Sequence, residues 1–274
     1  MPRRSRPLSR QKILAELGNE ARVVEDRLHL MEEVDSTNLW MHRRIKGGDL
    51  RSGTVCVAEA QSAGQGRAGR SWVATAYRDV MLSMAWRFSP EASLGGGLSL
   101  AAAVAVVRGL RDCGISGAGL KWPNDVMWRE RKLAGLLVEM TKKSSAGQWV
   151  VAGVGVNVCV GDVEAARIDQ PWADLESIAG GVDRSALIGR LVGQLRTAFR
   201  TYTHRGFAAF RDEWQQLHTL TGQQVRLLRA ETPFIGCVRG IDNDGALLVA
   251  DESGRVQRFH SGDISVRPTS ETLR

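Results

Sequence analysis

The sequence predicts an α+β fold, in which a main domain is followed by a small all-β domain. Before residue 221, apolar runs of strand length recur, and the clearest lie at 54–58, 80–88 and 149–158. An Ala-rich stretch at 98–110 has the composition of a helix that is buried on most sides. From residue 221 onward the chain changes to short strands separated by turns. With 274 residues, 43% of them hydrophobic, the chain can form a main core and a small second domain.

The charge balance and the lack of long apolar runs limit the function classes. The net charge of +7 and the pI of about 9.7 favour anionic partners, such as a nucleotide, an acidic protein or a nucleic acid. No apolar run approaches the ~20 residues of a membrane span, and no signal-peptide pattern opens the chain. We therefore expect no membrane partner.

The cysteines and histidines predict neither disulfides nor a zinc site. The four cysteines are far apart and lie in apolar surroundings: Cys56, Cys113, Cys159 and Cys237. They are predicted to be reduced and buried, which indicates a cytoplasmic protein. The five histidines lack metal-ligand spacing, so no structural zinc is expected.

The N-terminal stretch 1–10 is rich in arginine and predicts a disordered polar tail. The alternative is an arm that binds nucleic acid. Residues 11–17 have the composition of one short helix.

A glycine- and arginine-rich loop at 64–72, with the sequence GQGRAGRSW, follows the strand at 54–58. Glycine lets the backbone approach a ligand closely, and arginine adds permanently charged donors that suit carboxylate and phosphate groups. The loop therefore predicts a strand-end site for an anion. A glycine-rich hairpin turn with solvated arginines is the structural alternative.

Three nucleotide-binding patterns match this loop by spacing but fail on context. The dinucleotide fingerprint needs a helix that starts within the loop, whereas a strand-like run follows at 80–88. A Walker A loop would have lysine where Arg70 stands, and it needs the same helix. A kinase glycine-rich loop needs a lysine on the next strand, and no lysine occurs between Lys46 and Lys121.

Further motifs place polar residues at strand ends. DSTN at 35–38 ends a short strand and offers an N-cap for the helix that follows. KWPND at 121–125 reads as a strand interrupted by a turn, and KLAG at 132–135 leads into an apolar strand. Asn157 is a polar residue in an otherwise apolar strand that contains two glycines. Glycines within a strand often mark a place where a ligand or a neighbouring element approaches the backbone closely. A buried, hydrogen-bonded asparagine and a solvated hairpin Lys132 are the structural alternatives.

The remaining segments are interpreted as packing elements. The helix at 98–110 is expected to end near Gly114, where glycine can adopt a left-handed conformation. Asp183 is predicted to cap a long amphipathic helix with an apolar face from Leu187 to Phe199, and a further helix is predicted at 207–217. Short strands at 224–227, 235–238, 246–249, 256–259 and 263–267 predict a small β-barrel of the SH3-like kind.

In this order, the motifs resemble those of the biotin–protein ligases. The arginine loop is similar to the family's GRGRxGR loop, and KWPND and KLAG are strong matches. The resemblance covers residues 34–267 and implies a mixed sheet with helices packed on one side, followed by the SH3-like domain. The implied segments are a tail with a linker helix at 1–25, a catalytic domain at 26–219 and a C-terminal domain at 220–274.

The resemblance also implies an activity. Family members activate biotin with ATP to biotinyl-5′-AMP and transfer biotin to a lysine of a biotin carboxyl carrier protein domain, here of the acetyl-CoA carboxylase type. ATP, biotin and Mg²⁺ are therefore the expected ligands. Some relatives carry an N-terminal DNA-binding domain, but too little chain precedes the first motif to hold one, so no specific DNA binding is expected. The resemblance leaves open whether the chain forms a homodimer.

Carried over residue by residue, the resemblance implies a complete site. The implied biotin-binding residues are Ser36, Thr37, Asn38, Gln61, Gln65, Gly66, Arg67, Lys132 and Gly135. The implied nucleotide-binding residues are Arg67, Arg70, Trp72, Lys121, Asn124, Asn157 and Arg267. Arg67, Lys121 and Lys132 are implied as catalytic, and Asp125 as a metal ligand. One departure is Gln65, which stands where the family usually has arginine.

Two other functions stay open at this point. A lipoate or octanoate transferase shares the implied architecture, but it is not expected to keep KWPND, KLAG and the arginine loop together. A basic nucleic-acid-binding protein would fit the charge and the small β domain. It would need a basic stripe with interleaved aromatic residues, which the sequence lacks.

Overall fold

A seven-stranded mixed sheet forms the centre of the main domain. The computed structural model describes residues 6–228, 233–261 and 265–268. The strands of this sheet are β1 (Leu28–Val34), β2 (Thr54–Gln61), β3 (Val80–Phe88), β4 (Ala118–Lys121), β5 (Asp125–Trp128), β6 (Arg131–Met140) and β7 (Gln148–Val156). Their order is β1-β2-β3-β7-β6-β5-β4, in which β1 and β2 run parallel and all other neighbours run antiparallel. The predicted α+β class and mixed sheet are confirmed.

Helices connect and cover these strands. The α-helices of the described residues are α1 (Arg10–Ala15), α2 (Ala21–Glu25), α3 (Thr37–Gly47), α4 (Gly97–Asp112), α5 (Asp162–Ala165), α6 (Leu175–Ala179), α7 (Arg184–Arg205) and α8 (Ala208–Leu217). The predicted cap of α7 is confirmed, because the Asp183 carboxylate accepts hydrogen bonds from the backbone N–H groups of Ser185 and Ala186. The Ala-rich helix α4 is buried along most of its length, as its composition predicts.

The expectation that helices cover only one side of the sheet is wrong. On one face, Val55 and Val57 of β2 join the main core with α4 and α7. On the other face, Cys56 packs with Met41 of α3 in a separate small core. Side chains alternate along a strand, so an apolar run such as 54–58 supplies both faces at once. Helix α3 therefore closes the second face, and its N-terminus meets the sheet there.

The N-terminal stretch is ordered where the structure describes it, contrary to the predicted tail. The Leu8 backbone N–H donates to Glu59 Oε1 at 2.7 Å, and the Arg184 guanidinium donates to the Arg6 carbonyl at 2.8 Å. Glu59 and Arg184 themselves form a buried ion pair of 2.7 Å. A buried pair needs further partners for its remaining donors and acceptors, and residues 6–8 supply them. Residues 1–5 lie outside the described residues.

The C-terminal domain is a five-stranded antiparallel sheet, as expected for the SH3-like domain. Its strands are β8 (Gln224–Leu228), β9 (Phe234–Ile241), β10 (Leu247–Ala250), β11 (Val256–Phe259) and β12 (Ser265–Pro268), in the order β11-β10-β9-β8-β12. Of the predicted closing strand, Asp263 and Ile264 lie outside the described residues. The Trp122 indole N–H donates to the Gly245 carbonyl at 3.1 Å, which ties the KWPND turn to this domain.

The cysteines and the helices bear on two sequence-based expectations. All four cysteines are free thiols, as predicted, but only Cys56 is buried and the other three are half-buried. The prediction that all four are buried is therefore wrong, because apolar neighbours in sequence do not by themselves cover a side chain.

Among the described residues, no helix combines the length and the apolar character needed to cross a bilayer.

Candidate active site

A cavity of about 280 Å³ lies on the sheet beside the N-terminus of α3. Its walls come from the start of α3, the arginine loop, β6, β7 and the segment 167–172. Many residues implied by the sequence line it: Ser36, Thr37, Asn38, Gln61, Gln65, Gly66, Arg67, Arg70, Trp72, Asn124, Lys132, Gly135 and Asn157. Lys121, Asp125 and Arg267 are not part of this lining. Lys121 lies opposite Asp125 in the β4–β5 pair, and Arg267 lies opposite Arg226 in the β12–β8 pair.

One wall of the cavity is a buried polar network. Gln61 Oε1 accepts hydrogen bonds from the Thr37 backbone N–H at 2.8 Å and from Thr37 Oγ1 at 3.1 Å. Ser83 Oγ lies 2.7 Å from Thr37 Oγ1 and 2.6 Å from Asn38 Oδ1. Thr37, Asn38 and Ser83 are all buried, so each hydrogen bond is needed to offset desolvation.

Ser36 occupies the predicted N-cap position of α3 but does not make the usual capping hydrogen bond. Ser36 precedes α3 with an extended backbone, yet its side chain makes no capping hydrogen bond. Instead, Gln61 from β2 satisfies the first N–H of the helix, at Thr37. The hydroxyl of Ser36 therefore lines the cavity without serving the helix end.

The floor of the cavity depends on glycines that have no room for a side chain. Gly135 and Gly155 are paired across β6 and β7, and the Trp72 ring lies on them. A Cβ on Gly155 would be 2.3 Å from Trp72 Cε2, and one on Gly135 would be 2.9 Å from Trp72 Cζ3. A Cβ on Gly153 would be 2.4 Å from Asn38 Oδ1. These glycines thus set how deeply the tryptophan and the asparagine reach into the sheet.

Lys132 is the cation at the floor of the cavity. Its Nζ lies 2.7 Å from Asp125 Oδ1 and 5.6 Å from the centroid of the Trp72 ring. The Lys132 backbone is held by the segment after 167, because its N–H donates to the Pro171 carbonyl and its carbonyl accepts from Ala173, both at 2.9 Å. The alternative of a solvated hairpin lysine is therefore wrong, since its side chain is only 16% exposed.

The arginine loop is a tight turn that places its first arginine across the site. The Gly66 N–H donates to the Arg70 carbonyl at 2.7 Å, and Ala68 adopts a left-handed φ of 53°. The Arg67 guanidinium donates to Asn124 Oδ1 at 3.2 Å and to the Ser261 carbonyl of the C-terminal domain. The hairpin geometry of the structural alternative is thus correct, but Arg67 is not a solvated arginine.

Asn124 and Asn157, two of the three asparagines that line the cavity, are fixed by backbone carbonyls. Asn124 Nδ2 donates to the Leu136 carbonyl at 2.7 Å, which leaves Oδ1 for Arg67. Asn157 Nδ2 donates to the carbonyls of Lys132 at 3.3 Å and Ala173 at 3.2 Å. Asn157 is therefore the buried, hydrogen-bonded asparagine of the structural alternative, and it also lines the cavity.

Sequence reasoning missed several residues of the site. Ser83 lies within the apolar strand β3, and a single hydroxyl between Leu82 and Met84 was the available signal. Glu139 accepts a hydrogen bond from Asn38 Nδ2 at 2.8 Å, although it follows the KLAG motif by several residues. The segment 167–170 and Trp172 also line the cavity, and no local sequence pattern predicts their place in the site.

A closed floor, one polar wall and a deep lysine suit a small acid with a polar head, and the separate β domain approaches the same site through Arg67. Such a site suits an enzyme that binds a small carboxylic acid next to fixed cations. Comparison with known proteins gives the family. Residues 30–157 match the biotin/lipoate A/B protein ligase family, and residues 220–267 match the biotin protein ligase C-terminal domain.

The relatives agree with this assignment. The chain is 36% identical to the bifunctional ligase/repressor BirA of Escherichia coli (strain K12), over 85% of this chain and 72% of the relative. It is 34% identical to a biotin–acetyl-CoA-carboxylase ligase of Mycobacterium tuberculosis, over 86% of this chain and 88% of the relative. A biotin protein ligase of Aquifex aeolicus, solved in complex with biotin and ATP, matches with a TM-score of 0.75 and 26% identity, over 89% of this chain and 99% of the other. The chain belongs to the biotin protein ligase family, and the predicted resemblance is confirmed.

Proposed function

We propose that this chain is a biotin–acetyl-CoA carboxylase ligase. It activates biotin with ATP to biotinyl-5′-AMP and then transfers biotin to a lysine of a biotin carboxyl carrier protein domain. The observation that carries this proposal is the composition of the cavity, which has a buried network of hydroxyl and amide groups in one wall and Lys132 at its floor. Biotin has a ureido ring with N–H donors at one end and a carboxylate at the other.

The polar wall favours biotin over lipoate. Ser83 Oγ has one hydrogen, which it can give to Thr37 Oγ1 or to Asn38 Oδ1 but not to both. Either arrangement leaves one buried oxygen with spare acceptor capacity. A ureido N–H can satisfy such an oxygen, whereas the dithiolane ring of lipoate has no N–H to give. A lipoyl ligand therefore forgoes a hydrogen bond worth about 0.5–1.5 kcal/mol, so it is disfavoured relative to biotin.

The first step needs charge neutralisation more than a base. A carboxylate is already a nucleophile, and it must approach the negatively charged α-phosphate of ATP. Its oxygen bonds to the α-phosphorus, and pyrophosphate leaves with the electron pair of the broken P–O bond. We assign Lys132 to the carboxylate, later the acyl carbonyl, and Arg67 to the resulting adenylate. Lysine has three N–H donors, so Lys132 can serve Asp125 and a ligand carboxylate together. Positioning and fixed cations in the site supply the rate enhancement.

The nucleotide is assigned to the side of the cavity toward the C-terminal domain. Arg67 reaches that domain at the Ser261 carbonyl. Arg70, Trp72, Asn124 and Asn157 line the same cavity, so its lining offers cations, a flat ring and amides to a nucleotide. Lys121 and Arg267 are proposed for the phosphates from their positions in the family motifs, outside this lining.

Mg²⁺ is proposed to enter with the phosphates of ATP. Magnesium is usually held by one or two carboxylates together with substrate phosphates. The described residues contain no group of three or more His, Cys, Asp or Glu side chains that could hold a metal alone. Asp125 is the carboxylate implied by the family motif, and it is paired with Lys132. Asp125 and Lys132 do not make a metal site by themselves.

In the second step the amine of the carrier lysine attacks the acyl carbonyl of biotinyl-5′-AMP. An amide forms, AMP leaves with the electron pair of the broken C–O bond, and the proton lost by the amine passes to solvent, without a covalent bond to the enzyme. The carrier is proposed to be of the acetyl-CoA carboxylase type, with no specific DNA sequence as a partner.

The experiment that tests this function is biotin-dependent exchange between ATP and pyrophosphate. The purified chain is expected to exchange label with biotin and not with lipoate or octanoate. Equal exchange with lipoate would assign the chain to the other branch of the family. Binding to nucleic acid that persists at physiological salt, without exchange, would favour the basic nucleic-acid-binding alternative.

A further inference from the structure

The Asn38 amide has two ends of opposite hydrogen-bonding character, and the structure holds it in one orientation. Oδ1 faces Ser83 Oγ at 2.6 Å, and Nδ2 faces Glu139 Oε2 at 2.8 Å and the Leu137 carbonyl at 3.3 Å. Asn38 is only 3% exposed, so its orientation is not set by solvent. A rotation of the amide by half a turn would present a donor where the polar wall now presents an acceptor.

Glu139 is the stronger of the two groups that hold the Nδ2 end. Its contact is the shorter one, and a carboxylate accepts a hydrogen bond about twice as strongly as a neutral carbonyl. Glu139 also contacts His42 Nε2 at 3.1 Å through the same oxygen, Oε2. The hydrogen bond from His42 lowers the pKa of Glu139 and outweighs the opposing effect of burial, so the acceptor is ionised at neutral pH.

We propose that Glu139 is a positioning residue for substrate recognition: it fixes the Asn38 amide so that Oδ1 remains the acceptor beside Ser83. Glu139 does not line the 280 Å³ cavity itself, and its contact with a residue of that lining is the hydrogen bond from Asn38 Nδ2. It also lines a second, neighbouring cavity under the arginine loop, together with Gln65 and Arg67. The double-mutant cycle with Asn38 separates these two routes. This inference rests on the proposed function, because an acceptor at Oδ1 matters for a ligand with N–H donors. It extends the recognition site beyond the residues that the motifs imply.

The competing explanation is that Glu139 and His42 form an ordinary surface pair. The two side chains are 37% and 26% exposed, and such pairs contribute little on their own. The two explanations differ in which partner matters. A surface pair is lost equally when either residue is changed, whereas a positioning role survives the loss of His42 and not the loss of the carboxylate.

The test compares three variants in the exchange assay: Glu139→Leu, Glu139→Gln and His42→Ala. Glu139→Leu is expected to raise the KM for biotin about tenfold, which corresponds to one lost charge-assisted hydrogen bond, and to leave the KM for ATP unchanged. Glu139→Gln keeps an acceptor oxygen and is expected to restore most of the parent KM. His42→Ala is the matched control and is expected to behave like the parent. A rise in KM for both substrates, or an equal effect of His42→Ala, overturns the proposal.

A double-mutant cycle with Asn38 tests whether Glu139 affects the KM for biotin through Asn38 or only through the stability of the fold. In an Asn38→Ala background, Glu139→Leu is expected to have no further effect on the KM for biotin, because the group it positions is gone. A full additional effect in that background would mean that Glu139 acts by another route.

A spectroscopic measurement keeps the inference separate from the proposed function. The side-chain NH₂ resonances of Asn38 in ¹H–¹⁵N spectra of the ligand-free protein report its hydrogen bonds without any catalysis. They are expected to shift strongly in Glu139→Leu and much less in His42→Ala, which removes a neighbour of the same Glu139 oxygen but not the acceptor itself. If the parent lacks exchange activity but these shifts occur, the proposed function fails and the positioning role stands. If the parent is active and the resonances do not move, the positioning role fails alone.

Discussion

Lys132 and Asp125 form an ion pair within the β5–β6 hairpin, with Nζ and Oδ1 2.7 Å apart and side chains 16% and 20% exposed. Lys132 of β6 lies opposite Met127 of β5, and Asp125 precedes Met127 by two residues on β5. The two side chains therefore meet on one face as diagonal neighbours, which long side chains can bridge. The acid of the KWPND motif thus holds the lysine of the KLAG motif at the cavity.

Replacing Lys132 by methionine should abolish most of the adenylation step. Methionine keeps the length and apolar stem of the side chain but removes the cation that we assign to the substrate carboxylate. Loss of one such preorganised group typically lowers the rate by about 10²–10³-fold. The measurement is single-turnover formation of biotinyl-5′-AMP, with Lys143→Met, at an exposed position, as the control. A rate within the range of the control would mean that another cation neutralises the carboxylate.

Arg67→Ala should affect retention of the intermediate more than its formation. The side chain spans from Asn124 to the Ser261 carbonyl, so it can close the site over a bound adenylate. We expect faster release of biotinyl-5′-AMP, measured by chase with unlabelled ligand, with a smaller change in the adenylation rate. Release that is as slow as in the parent would remove this role from Arg67.

Much of the fold and site follows from sequence because the informative residues act locally. Asp183 caps α7 through bonds to residues two and three positions ahead, and the loop at 64–72 turns through its own glycines. The contacts that sequence did not reveal join residues far apart in the chain. Ser83 reaches Asn38 across 45 positions, and Asn38 reaches Glu139 across 101. Their partners are set by the order of strands in the sheet, which no local pattern encodes.

Gly153→Ala should impair biotin binding although it adds only a methyl group. The new Cβ would lie 2.4 Å from Asn38 Oδ1, so the asparagine must move away from the wall. A displacement of this size in a positioned group can cost about 10²-fold in kcat/KM for biotin. Gly193→Ala is the control, because its Cβ would meet only Leu17 Cδ2 at an ordinary 3.6 Å. If both variants retain parental kcat/KM, the wall is more tolerant than its packing indicates.

The buried His218 should make the protein less stable in mild acid. Its ring stacks on Trp214 at 4.5 Å, and burial lowers its pKa from 6.5 to about 3. Between these values the unfolded chain binds a proton that the folded chain excludes, so the free energy of unfolding falls as the pH falls from 6.5 toward 3. The limiting slope for one proton is about 1.4 kcal/mol per pH unit.

His218→Phe should therefore flatten the dependence of urea unfolding on pH within that window. His204→Phe, at an exposed position, is the control and should leave the slope unchanged. An identical slope in the parent and in His218→Phe would show that His218 titrates alike in the folded and unfolded chains.

Gln65→Arg should slow the release of biotinyl-5′-AMP. Gln65 is exposed at the base of the arginine loop, bridged to Ser71, and it lines the cavity. An arginine there could make charge-assisted bonds worth ~1.5–3 kcal/mol, against ~1 kcal/mol for the neutral amide. A difference of about 1–2 kcal/mol corresponds to roughly five- to thirtyfold, and it should fall mainly on the off-rate.

The measurement is dissociation of labelled biotinyl-5′-AMP from the parent and from Gln65→Arg, with Gln65→Lys as a variant that adds charge without the planar fork. Slower release from the arginine variant, and less so from the lysine variant, is the expected order. Unchanged or faster release would mean that the charge is already supplied by a neighbour. Arg70 is the first residue to test in that case, because it lines the same cavity and its Nε lies 3.5 Å from the Arg67 carbonyl. In that case, Arg70→Gln should speed the release of biotinyl-5′-AMP from the parent by roughly five- to thirtyfold.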